Sequence, residues 1–264
     1  MPAINPSRLQ NQIDKILVYF DQPQAFHRHL VDLFSLYANH SLHFGQLSEP
    51  GSTAPMYHLP QPLILQLHGA TRPYIKQFPQ AALKCADALW NDPYIEVKQF
   101  AIFILGNVTL QEPDPIINLL GSWIETDLEN RLKSDLISKG TKKLQKDFPT
   151  AWEKLIKSLL DQKDPGLIEF GILGLQEGVQ RKKSVNFPMV FRVISPIIQN
   201  PSTPNMEKLE DLIRTLIKQS PIETAFFLKQ TLSLSQSTNT KRLIKRCLPM
   251  LPENEQLDLK ISLE

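Results

Sequence analysis

The side chains in this chain that could do chemistry by type and spacing are mostly basic. Arg131, Lys133, Lys139, Lys142, Lys143 and Lys146 crowd one stretch; Lys154, Lys157 and Lys163 continue it; Arg181-Lys182-Lys183 closes it. Cationic groups recurring in successive elements are what a phosphate backbone needs, because each contact releases condensed counterions. Arg131, Lys139, Lys142, Lys143, Lys146, Arg181, Lys182 and Lys183 are therefore candidate contacts to a polyanion, such as a nucleic-acid backbone, if their elements present them on one face. A merely solvated face is the ordinary alternative. The net charge of +2 hides this asymmetry: residues 1–130 sum to about −5, residues 131–192 to about +6 and the remainder to about +1, as a local polyanion surface would require.

Other chemistries find little support. His27 and His29 point apart on a helix, and neither they nor His40 and His43 show zinc-ligand spacing, so no metal is expected. No Gly-rich phosphate loop and no Gly-x-Ser-x-Gly occurs, and no cofactor is expected. Cys85 and Cys247 lie far apart in apolar helical patterns and read as reduced core residues of an intracellular, cytoplasmic protein. The opening MPAINPSRLQNQIDK lacks an apolar h-region, so no signal peptide is expected, and no apolar run is long enough to cross a bilayer.

The elements that must position these residues are helices. With 264 residues, 42% of them hydrophobic, the chain can bury a sizeable core. Its 21 prolines against 10 glycines suit helix starts and corners better than a sheet, and hairpin signals are absent. The clearest unit is Leu83 to Gly106. Leu83, Ala86, Ala88, Leu89 and Trp90 give one apolar side; Asn91-Asp92-Pro93 breaks the run, with Asp92 as cap and Pro93 opening the next helix. That helix is expected over Tyr94 to Leu105, with Val97, Phe100, Ala101, Ile104 and Leu105 buried, Glu96 and Lys98 on the wet side, and Gly106 as C-cap.

The same shape recurs. Trp152 to Leu160, Asp164-Pro165, then Leu167 to Leu175 is one version. Phe187 to Gln199 with Lys208 to Lys218 is another. Ser220-Pro221 into Glu223 to Leu232, followed by Thr240 to Leu248, is a further one. Upstream, helices are expected over Arg8 to Phe20 and Gln24 to Ala38, then a long irregular segment over 39–62 in which Tyr57 and His58 either pin the loop or meet a ligand. A short helix Leu63 to Leu67, a turn at Thr71-Arg72-Pro73, and a helix start at Phe78-Pro79 follow. Ile116 to Ile124 is helical, and Thr126-Asp-Leu-Glu129 has capping-box form for a helix through Leu128, Leu132, Leu136 and Ile137. Helix pairs at roughly 30–50-residue spacing predict an all-α chain folded as one HEAT-like helical-repeat α-solenoid over 1–264, a right-handed superhelix of antiparallel pairs. An ordinary all-α globule is the competing arrangement.

Three stretches carry a resemblance to a known family. They are Ala88-Leu89-Trp90 before the corner with Glu96, Gln99 and Ala101 after it, Lys146-Asp147-Phe148-Pro149 into Trp152, and Ser220-Pro221-Ile222-Glu223. With them the chain resembles, from about Leu9 to Leu248, the AlkD-like DNA alkylation repair proteins, DNA glycosylases built of HEAT-like repeats. The resemblance implies excision of alkylated, cationic purines from duplex DNA held on a concave basic surface; the chain is expected to act as a monomer. It also implies a Trp-x-x-x-Asp pair and an arginine, the carboxylate stabilising cationic charge as the glycosidic bond breaks. Trp123 and Asp127 have that spacing but straddle the capping box. Asp135 is the other candidate carboxylate, with Arg131 rather than tryptophan one turn before it. The arginine position falls near Glu169-Phe170. These departures predict weak or absent glycosylase activity, with Asp135 first, Asp127 second and Trp123 as aromatic wall in any activity that remains. The alternative is a HEAT-type scaffold that binds a protein or peptide partner.

Overall fold

The computed structural model describes residues 5–39, 54–124, 128–181, 186–235 and 237–263. Among the described residues the secondary structure is helical, with no strand, and no helix is long and apolar enough to cross a membrane. The chain divides into two compact units, Met1–Trp123 with Leu128–Pro149, and Ile124–Asp127 with Thr150–Glu264.

The first unit contains α1 (Pro6–Leu17), α2 (Pro23–Tyr37), α3 (Gln61–Gln77), α4 (Pro79–Trp90), α5 (Ile95–Leu105), α6 (Asp114–Trp123), α7 (Asn130–Asp135), a π turn (Leu136–Gly140) and α8 (Lys142–Asp147). Proline opens α1 to α4, where its missing N–H costs no helical hydrogen bond. Asn5 caps α1 by accepting from the amides of Ser7 and Arg8. Helices two apart in the chain lie side by side: α1, α3, α5 and α7 in one row, α2, α4 and α6 in another. The pair α4–α5 has the most extensive contact, and Trp90, Phe100, Ile104 and Leu105 are buried there, as their spacing requires.

Four local expectations change. The turn expected at Thr71-Arg72-Pro73 is helical, and α3 runs through Pro73. Leu63, Leu67, Thr71 and Ile75 form one buried stripe, and that packing outweighs the hydrogen bond lost at proline. Glu96 is buried rather than wet: its carboxylate accepts the backbone amides of Tyr57 at 3.1 Å and His58 at 2.7 Å, which satisfies a charge that burial alone would penalise. Helix α5 begins at Ile95, with Tyr94 as N-cap. Asp92 does act at the corner, accepting from the Tyr94 amide at 2.9 Å and bonding His27 at 2.7 Å. Helix α7 begins at Asn130 with Glu129 as its N-cap, so Glu129 is not the third residue of a helix capped by Thr126, which lies outside the described residues.

Tyr57 is buried, stacked on Tyr94 with ring centroids 4.0 Å apart. It pins the end of the 39–62 segment to the start of α5, helped by a bond from the Ile95 amide to the Pro55 carbonyl. His58 beside it has φ +54°, a left-handed conformation that the two bonds to Glu96 hold in place.

Gly106 ends α5 as expected, but with φ −70°, so it is not there for a left-handed cap. A methyl group at Gly106 would overlap the Lys139 carbonyl. Its use is close approach: the end of α5 and the π turn touch backbone to backbone.

The second unit contains α9 (Pro149–Leu160), α10 (Pro165–Arg181), α11 (Phe187–Gln199), α12 (Met206–Gln219), α13 (Pro221–Leu234), α14 (Thr238–Cys247) and α15 (Glu253–Leu263). Here too alternate helices are neighbours, α10 with α12 and α12 with α14, α11 with α13 and α13 with α15. Asp164 caps α10 by accepting from the amides of Gly166 and Leu167. Gly171 and Gly174 let α10 pack onto Leu160, Ile156 and Trp152 of α9. Helix α15 has no apolar stripe to read, because Leu257 and Ile261 are exposed while Leu259 and Leu263 are buried.

Truncating Phe100 to Ala should cost about 3–5 kcal/mol of stability in denaturant unfolding. Gly106→Ala should cost about 1–3 kcal/mol, since the added carbon meets backbone that cannot rotate away. Burial pushes the thiols of Cys85 and Cys247 up to about 12. Both should resist a thiol reagent at pH 8 until the chain unfolds. Native thiols keep protons that unfolded ones lose near pH 9, so their contribution to stability should fall as pH rises from about 9 to 12.

Candidate functional site

The row α3–α5–α7 brings together three pairs of residues, each pair one helical turn apart. They are His68 and Arg72 on α3, Gln99 and Phe103 on α5, and Asp135 and Lys139 on α7 and the π turn. Residues four apart share a helix face, so three neighbouring helices each offer two side chains.

The pairs are in contact. The His68 ring lies flat on Phe103, with centroids 3.7 Å apart and planes 3° from parallel, and reaches Phe100 at 5.7 Å. The Arg72 guanidinium lies 5.7 Å from the centre of the same Phe103 ring, a cation–π distance. Toward α7, Gln99 donates to Asp135 Oδ2 at 2.9 Å. Lys139 Nζ lies 2.7 Å from Asp135 Oδ1, with the Asp135 side chain 13% exposed and that of Lys139 66%.

The π turn positions the third pair. The Thr141 amide donates to the Leu136 carbonyl, five residues back, at 3.1 Å, and the Thr141 hydroxyl donates to Ile137. Such wide turns recur where a helix must re-aim side chains. With Gly106 admitting the turn, Asp135 reaches Gln99, and the Lys139 charge bears on His68.

Burial, together with the nearby cations Arg72 and Lys139, lowers the His68 pKa to about 4. His68 is therefore neutral at pH 7 and leaves one ring nitrogen as acceptor and one as donor.

The other expected site residues are distributed differently. Arg131, Lys142 and Lys146 are exposed, on α7 and α8. Lys143 lies 3.9 Å from Asp147. Arg181 belongs to the second unit, where it pairs with Glu177. Lys182, Lys183 and Asp127 lie outside the described residues. Trp123 is buried, stacked on Trp90 at 4.5 Å and donating from Nε1 to Asp87 at 3.1 Å. Its partners are on α4 while those of Asp135 are on α5 and the π turn, so the two meet different neighbours. At the position expected for arginine, Glu169 lies 3.9 Å from Lys208. His27 is engaged by Asp92, and His29 stacks on Tyr19.

Reading the sequence missed His68, Arg72 and Phe103. A turn was expected at Thr71-Arg72-Pro73, which hid the pairing of His68 with Arg72. The four-residue spacing of Leu63, Leu67, Thr71 and Ile75 was the available signal. No family model, curated protein or solved structure matches this chain.

A histidine NMR titration should place the His68 midpoint near 4. Replacing Arg72 with Met should raise it, since a like charge is removed, but not fully to the ordinary value, because burial is the largest cause. A histidine depressed in the native state is protonated first in the unfolded chain. Its contribution to stability should therefore be lost as pH falls from about 6.5 toward 4.

Proposed function

We propose that this chain is a HEAT-like helical-repeat protein of the DNA alkylation repair type that binds duplex DNA, with at most weak glycosylase chemistry. The two rows of alternating helices within each unit support the repeat reading. The observation that carries the functional reading is the α3–α5–α7 cluster. It sets Arg72 and Lys139 around a carboxylate and an aromatic ring, in the unit that also carries exposed Arg131, Lys142 and Lys146. Cations fit a phosphate backbone, and a carboxylate is the group that would stabilise a cationic sugar or base.

The same cluster argues for weak chemistry. Asp135 is already engaged by Lys139 and Gln99, Trp123 is stacked into the core, and Glu169 stands where the family's arginine is expected. Preorganised groups of this kind are worth roughly 10²–10³ in rate each. The chain should bind duplex DNA and release alkylated purine slowly or not at all, and Asp135→Asn should abolish any release.

Binding should fall steeply with salt. Four phosphate contacts would give a log–log slope of about −3.6. Lys142→Glu with Lys146→Glu should weaken binding evenly across sequences. Binding indifferent to salt and to these changes would defeat the DNA reading.

One observation favours the second reading, a scaffold for a protein or peptide. Between α11 and α13 of the second unit runs an open groove of about 630 Å³, lined by Phe187, Phe191, Phe226 and Phe227. Ile222, Phe226 and Leu234 are exposed there, and exposed apolar surface of this kind marks interaction sites.

A further inference from the structure

We propose that His68, Arg72 and Lys139 form a phosphate-binding site that takes up a proton when it is filled. The inference deepens the duplex-binding reading and rests on it for one of two ligand sources, a DNA phosphodiester or a free phosphate group.

Three features of the site call for an anion. Arg72 is exposed and lies against the face of Phe103; among the described residues no carboxylate pairs with it. A guanidinium held against an aromatic ring keeps its N–H fork available for a bidentate oxyanion. His68 is fixed by its stack on Phe103 and has no hydrogen-bond partner on either ring nitrogen among the described residues. Lys139 carries the second cation, anchored at Asp135 but 66% exposed, so its remaining donors face solvent.

The charged groups bearing on His68 are Arg72 on its own helix and Lys139 across α5; Asp135 faces Lys139. An arriving phosphate would offset both cations and accept from His68. Each change favours the imidazolium. The proton comes from solvent and stays on the His68 ring, opposite the bound oxyanion.

The test uses the full chain and follows His68 by NMR, its signals assigned by their loss in His68→Gln. The probes are inorganic phosphate, sulfate as a dianion that does not itself titrate over the range, and an unmodified DNA duplex, at constant ionic strength. Phosphate and sulfate should each raise the His68 midpoint by about 1–3 units. Sulfate affinity should increase as pH falls from 7 to 5, and His68→Gln should remove that pH dependence. Arg72→Gln, at an exposed position that does not threaten the fold, should weaken anion binding about tenfold or more.

If the duplex also raises the midpoint, the site holds a DNA phosphate. If only the free anions do, the site stands as a phosphate site and the duplex reading loses this cluster. If the duplex binds with strong salt dependence while no probe moves His68, the inference is overturned and duplex binding survives without it. Anion affinity unchanged in Arg72→Gln would overturn it as well.

Discussion

The contact on which the first unit's site depends is made by backbone. At the end of α5, Gly106 leaves room for the Lys139 carbonyl of the π turn, and no side chain would fit between them. The approach sets how far α7 and the π turn stand from α5. From that distance Gln99 reaches Asp135, and Lys139 bears on His68 one helix further along the row. Gly140 serves the same contact from the other side, where an added carbon would press on Leu136 and Ile102. Helices that approach this closely cannot slide without breaking many small contacts at once, so the constellation is held by packing before any hydrogen bond is counted.

Within that frame the charges are arranged by burial. Glu96 and Asp92 are both buried, and each is satisfied by backbone amides close to the α4–α5 corner. They act as structural acceptors: Glu96 ties down the end of the 39–62 segment, and Asp92 shapes the turn and holds His27. Asp135 is different, less enclosed and matched by a lysine and an amide side chain. It sits where a ligand could compete for its partners. Across the same helix His68 is neutral between two cations, an arrangement that favours an anion in solution over a cation.

The second unit uses the same packing grammar with another outcome. Gly171 and Gly174 bring α10 against α9 much as Gly106 brings α5 against the π turn. Along α13, though, apolar residues are left outside. Phe226, Ile222 and Leu234 stand exposed along α13, and Phe191 stacks on Phe227 at 4.5 Å beneath them. The α3–α5–α7 cluster and the α11–α13 groove are therefore chemically different, one charged and aromatic, the other apolar.

Much of the secondary structure was legible in the sequence, because helical periodicity and Asx–Pro corners are local signals. The run from Phe187 to Gln199 matches α11, and Asp164 caps α10 where the Asp-Pro pair predicts. The charge asymmetry was legible for the same reason, since it needs only counting. Periodicity says that a face is buried, not against what. Glu96 reads as a wet residue until Tyr57 and His58, far upstream, bring it two amides. Arg72 reads as part of a turn until the stripe through Thr71 and Ile75 packs and carries α3 past Pro73. Trp123 reads as an aromatic wall until Trp90 stacks on it. Helix, corner and charge balance were decided by neighbours in the chain; the site was decided by neighbours in space, because desolvation and hydrogen bonding act over ångströms regardless of sequence separation.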